Sequence, residues 1–94
     1  MNLYYKDVNL GEIKDRYVVD GMWLYGEIFP NDNLEKFREF FKALVDEDHD
    51  FQEDHYDEDW LNEENWFITD KDGVKKGIIV PAVYEDGAIN WRWR

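Results

Sequence analysis

The chain has 94 residues and a formal net charge of -12, from 23 Asp and Glu against 11 Lys and Arg, and 18% of its residues are aromatic. That length suits one domain, and the ring content separates it from disordered acidic chains, which are poor in aromatics. The absence of cysteine excludes a disulfide framework and thiolate metal sites, and the negative balance opposes direct binding to nucleic acid or an anionic membrane.

The N-terminal third reads as strands. Leu3 to Val8 is a strand candidate with Asn9 to Gly11 as its turn. Arg16 to Val19 and Met22 to Phe29 flank Asp20-Gly21, a strong hairpin signal because both turn residues tolerate positive φ. In the second of these strands Met22, Leu24 and Ile28 share one face, while Trp23, Tyr25 and Phe29 share the other. Both faces are largely apolar, which predicts a central strand or one covered on both sides.

A helix follows over about 32–46. Asn31, Asp32 and Asn33 are N-cap candidates, and Asp32 with Glu35 resembles a capping box. Leu34, Phe37, Phe40, Phe41, Leu44 and Val45 recur with the helical period and form one apolar stripe. Glu35, Lys36, Arg38, Glu39 and Lys42 fill the polar face, where Arg38 and Lys42 can each meet an acid one turn earlier.

Residues 46–64 hold eleven of the 23 acids and no Lys or Arg. The rest of the chain is nearly neutral, with 12 acids against 11 bases. Blocks of like charge usually repel into solvent. Phe51, Tyr56, Trp60 and Leu61 interrupt this one, so a partly ordered surface segment pinned by its apolar residues is expected. Within it, Asp57 can cap a short helix through Trp60 and Leu61, with Asn65 as a left-handed stop.

The C-terminal third returns to strands: Trp66 to Thr69, Gly77 to Tyr84 and Ala88 to Arg94, joined by Asp72-Gly73 and Asp86-Gly87. Pro81 cannot donate to a ladder and marks a bulge or an edge. In the last strand Ile89, Trp91 and Trp93 face one way, and Asn90, Arg92 and Arg94 the other. The order strands, helix, strands predicts a single α+β domain, with an antiparallel sheet of five or six strands packed by one amphipathic helix. The longest apolar run, Ile78 to Tyr84, is too short to cross a bilayer. Met1 to Leu10 lacks the pattern of a secretory leader. A cytoplasmic setting fits both observations.

Chemistry-bearing patterns are sparse. Asp46, Asp48, Asp50, Gln52 and Asp54 fall at alternate positions of a calcium-type loop, but Phe51 stands where glycine is needed and Asp57 where a bidentate glutamate closes the site. His49 and His55 are six apart, which places them on different faces of a helix and argues against a zinc or iron pair. No phosphate-binding glycine loop is present. The chain has no serine and a single threonine, Thr69, which removes serine-hydrolase chemistry. Neither an enzymatic role nor a metal or cofactor is therefore expected. The sequence points to a binding module, inhibitor-like or immunity-like by composition, that docks an acidic and aromatic surface on a basic partner protein. Asp54, Tyr56, Asp57, Glu58, Asp59 and Trp60 are its candidate contact residues. The alternative is a homodimer or larger assembly built on the Trp91 and Trp93 face, with the acidic segment serving solubility alone.

Overall fold

A computed structural model describes residues 1–46 and 51–94, with the backbone alone described at 15–20 and 53. It shows an α+β domain with seven antiparallel strands: β1 Asn2–Tyr5, β2 Val8–Asp20, β3 Trp23–Pro30, β4 Trp66–Thr69, β5 Lys75–Gly77, β6 Ala82–Val83 and β7 Ala88–Arg92. A 3₁₀ stretch, Asp32–Phe37, runs directly into helix α1, Arg38–Val45, and together they make one helix of 14 residues. Helix α2, Glu58–Leu61, is a single turn. The hydrogen-bonded strand order is β5-β4-β1-β2-β3-β7-β6.

The strand count exceeds the expected five or six because the run from Gly77 to Tyr84 divides at Pro81 into β5 and β6. The two behave as one bent strand. Its first part pairs with β4 and its last with β7. Between them, the Ile78 N–H donates to Trp66 O and the Ile79 N–H to Arg92 O, both at 3.0 Å, while Ile78 lies opposite Trp93. The two ends of the sheet therefore meet, and the strands close into a small barrel with no long open edge.

Closure dictates which faces are buried. Leu3, Tyr5, Leu10, Ile13, Leu24, Ile28, Trp66, Ile68, Ile78, Val83, Ile89 and Trp91 form the interior, joined by Leu34, Phe37, Phe40 and Phe41 from the helix. The outward faces are not covered by a second layer. β3 is central in its pairing, one of the two arrangements its apolar faces predict, and on its outer face Phe29 is 48% exposed while Trp23 and Tyr25 are half-buried. The outer rings carry cations instead: Lys14 lies 5.2 Å from Phe29, and Lys75 and Arg94 lie 4.7 and 5.3 Å from Phe67. Trp91, which the alternative homodimer reading placed on a face between copies, is fully buried inside one chain. Trp93 is half-buried with Lys76 over its ring.

The turns differ in how far the local sequence specified them. Positive φ falls on Gly21, Gly73 and Gly87, at the three Asp-Gly pairs. The Asp70 carboxylate accepts from the Asp72 and Val74 N–H groups, and Asp86 from Ala88, so side chains complete these turns. The first turn is not at Asn9 to Gly11. It lies at Lys6 and Asp7, with Lys6 at φ 55°, and Asn9 to Gly11 belong to β2. Gly11 is nonetheless required there: a Cβ would stand 2.6 Å from Phe29 O and 2.8 Å from Pro30 Cα. At the helix start Asn31, rather than Asp32, is the cap, its side chain accepting from the Asn33 N–H at 2.9 Å. Glu35 pairs with Arg38 at 2.8 Å. Lys42 reaches across to Glu85 at 3.7 Å, not to its own helix.

Candidate functional site

Residues 51–64 of the acidic segment lie along α1. Rings dictate their course. Phe51 stacks on Tyr56 with centroids 5.4 Å apart, and Tyr56 meets Phe40 edge-on at 5.4 Å. Trp60 packs on Phe37 at 4.7 Å and on Phe40 at 5.5 Å. Burying these apolar surfaces on the exposed flank of the helix offsets the mutual repulsion of the neighbouring carboxylates. Among the described residues the rings thus pack inward while Asp54, Asp57, Glu58, Asp59, Glu63 and Glu64 are exposed, as expected of a segment pinned by its apolar residues.

Polar side chains then shape the backbone. Asp57 caps α2 by accepting from the Asp59 N–H at 3.0 Å, and Asn62 caps the following 3₁₀ turn by accepting from the Glu64 N–H at 3.0 Å. Asn65 is not in the left-handed conformation. Its amide donates to Asp59 O at 2.9 Å and so ends α2 through its side chain. The Trp66 indole N–H, within the core, donates to Trp60 O at 2.8 Å. That bond links the buried wall of the barrel to the acidic segment.

The expected contact residues fall into two groups. Asp54, Asp57, Glu58 and Asp59 are exposed, whereas Tyr56 and Trp60 are half-buried and serve this chain's own packing as well as lining its surface. Asp59 is further engaged by Lys6, whose Nζ lies 3.2 Å from Oδ2. The hydrogen bond that Lys6 donates to Asp59, and then the Asp59 charge, hold the Lys6 ammonium above the ordinary lysine value. Burial pushes the neighbouring Tyr5 phenol up, Lys6 opposes this, and Asp59 and Asp57 add to it.

A cavity of about 240 Å³ opens between α1 and the acidic segment, lined by Lys36, Glu39, Phe40, His55, Tyr56, Asp57 and Trp60. Lys36 comes from the polar face of the 3₁₀ stretch and Glu39 from that of α1, and sequence reasoning missed both because a charged helix face looks alike wherever it points. A second cavity, about 300 Å³, lies on another side of the helix between Leu34, Phe41 and Val83. Of the candidate cation ligands, Asp48, His49 and Asp50 lie outside the described residues. Among the described residues no group of three or more His, Asp or Glu is placed to hold a metal ion, and no helix is long and apolar enough to cross a membrane. Comparison with protein-family models, with curated proteins and with solved structures finds no match to this chain.

Proposed function

We propose that this chain is a non-enzymatic binding module that presents its acidic segment to a basic surface of another protein. One observation carries the reading: the carboxylates of Asp54, Asp57, Glu58 and Asp59 are exposed on a backbone held by buried and half-buried rings. A fixed array of like charge attracts a basic partner over a distance and loses little freedom on docking. The outer parts of Tyr56 and Trp60 supply the apolar contact that holds it.

The test uses substitutions that spare the cap at Asp57 and the Lys6 pair. Replacing Asp54, Glu58, Glu63 and Glu64 together by Lys is expected to lower the association rate with a purified basic partner about tenfold or more. The unaltered protein's rate is expected to fall as salt rises. Rates indifferent to both salt and charge reversal would overturn the proposal.

A further inference from the structure

We infer that the cavity between α1 and the acidic segment receives a single arginine side chain of that basic partner, an inference that rests on the function proposed above. Its volume of about 240 Å³ is below the roughly 300–1,000 Å³ of sites that enclose small-molecule ligands. It has room for one protruding side chain.

The walls select the chemistry. Tyr56 and Trp60 are half-buried with Phe40 fully buried beside them, so ring surface is available at the opening and backed by packed core. Ring faces attract cations, and the neighbouring rings of Phe37 and Tyr5, which lie outside the cavity lining, already hold two of the chain's own. Lys36 Nζ lies 5.1 Å from the Phe37 ring and 5.8 Å from Tyr5, and Lys6 Nζ lies 5.4 Å from Tyr5. Lys36 lines the cavity as well, and the exposed carboxylates of Glu39 and Asp57 outnumber its ammonium. Asp57 uses Oδ1 for the Asp59 N–H, and Oδ2 remains as an acceptor. A guanidinium is planar, so it can lie against a ring and donate to a carboxylate at the same time, which a compact, strongly hydrated ammonium does poorly.

The probe is N-acetyl-arginine amide, titrated into the isotope-labelled whole chain while indole and backbone N–H resonances are followed. Saturable shifts are expected at Trp60, Tyr56 and Glu39, with the indoles of Trp91 and Trp93 unmoved. N-acetyl-lysine amide is expected to bind about threefold or more weaker. Glu39→Gln lies on an exposed helix face and is expected to keep the melting temperature while weakening arginine binding severalfold. Shifts that never saturate, that spread over all the acidic residues, or that are equal for lysine would overturn the assignment. The two readings fail separately. Salt-dependent partner association with Trp60 blind to arginine removes the cavity alone, whereas an intact arginine response with salt-independent association removes electrostatic docking alone.

Discussion

The ammonium of Lys6 donates to Asp59 across 53 positions of sequence, from a turn in which Lys6 itself holds φ 55°. Three further bonds converge there: the Lys6 N–H donates to Asn65 O at 2.7 Å, and Lys75 Nζ donates to Lys6 O and to the Asp7 carboxylate. The first hairpin, the end of the acidic segment and strand β5 therefore meet at one residue. None of these ion pairs is buried, and each alone contributes little. Their joint effect is to hold a backbone conformation that a non-glycine residue rarely adopts.

Substitution at this turn separates backbone from charge. Lys6→Asn tolerates the left-handed conformation and is expected to leave the melting temperature nearly unchanged. Lys6→Val, whose β-branch conflicts with it, is expected to lower the melting temperature by about 4–8 °C. Equal losses in the two variants would show that the side-chain contacts, not φ, dominate.

Gly77 and Arg94 meet where the barrel closes, the Arg94 N–H donating to Gly77 O at 3.1 Å. A side chain at 77 would begin inside the Arg94 guanidinium, which donates from Nε to Ile78 O at 3.1 Å and from Nη2 to Trp66 O at 3.3 Å. Gly77→Ala is expected to expel the guanidinium and cost about 1–2 kcal/mol in urea unfolding. In an Arg94→Ala background the same change is expected to cost about 0.5 kcal/mol or less, because the group it displaces is already gone. Additive losses would refute the coupling.

Trp66 joins the core to the acidic segment. Trp66→Phe removes the indole bond to Trp60 O and leaves space beside Phe37, Phe40 and Phe41, with an expected cost of about 2–4 kcal/mol. Hydrogen exchange at residues 59–65 is expected to accelerate more than exchange in β3 and β7. A uniform increase across the chain would place the effect in global stability alone.

Acid sensitivity is expected at the β4–β5 turn. N–H donation from Val74, then from Asp72, with help from Lys76, holds the Asp70 carboxyl below the usual aspartate value despite the opposing effect of burial. A depressed folded value stabilises the native state above the unfolded carboxyl's pKa, and that contribution is lost as pH falls through the folded value. Asp70→Ala is therefore expected to be less stable than the parent at neutral pH, with the gap in melting temperature narrowing below pH about 4. A gap constant down to pH about 2 would argue against it.

Local pattern was enough for several elements. The stripe from Leu34 to Val45 permits only a helix with one buried face, and Trp66 to Thr69 emerges as β4 with the expected bounds. The three Asp-Gly pairs lie at turns because glycine alone takes positive φ there without strain. Asp57 caps α2 as its position before Trp60 implies, and Tyr56 and Trp60 pin the acidic run because rings leave water wherever a surface accepts them. These outcomes depend on neighbours within a few residues, so the chain's own order is sufficient to set them.

Other features needed the assembled chain. A lysine at φ 55° carries no local signal, and the bonds it donates to Asn65 and Asp59 and accepts from Lys75 come from distant segments. Apolar residues on both faces marked β3 as central or doubly covered, and the assembled sheet makes it central. Closure through Ile78, Ile79 and Arg94 leaves one interior, and the outer rings take cations as their cover. The cavity at Tyr56 and Trp60 exists because Lys36 and Glu39 approach from a helix some twenty residues earlier. Amino-acid order determined which residues were apolar, which could turn and where the charge lay. Which faces found each other was decided only in three dimensions, because pairing and packing energies depend on contacts between segments far apart in the chain.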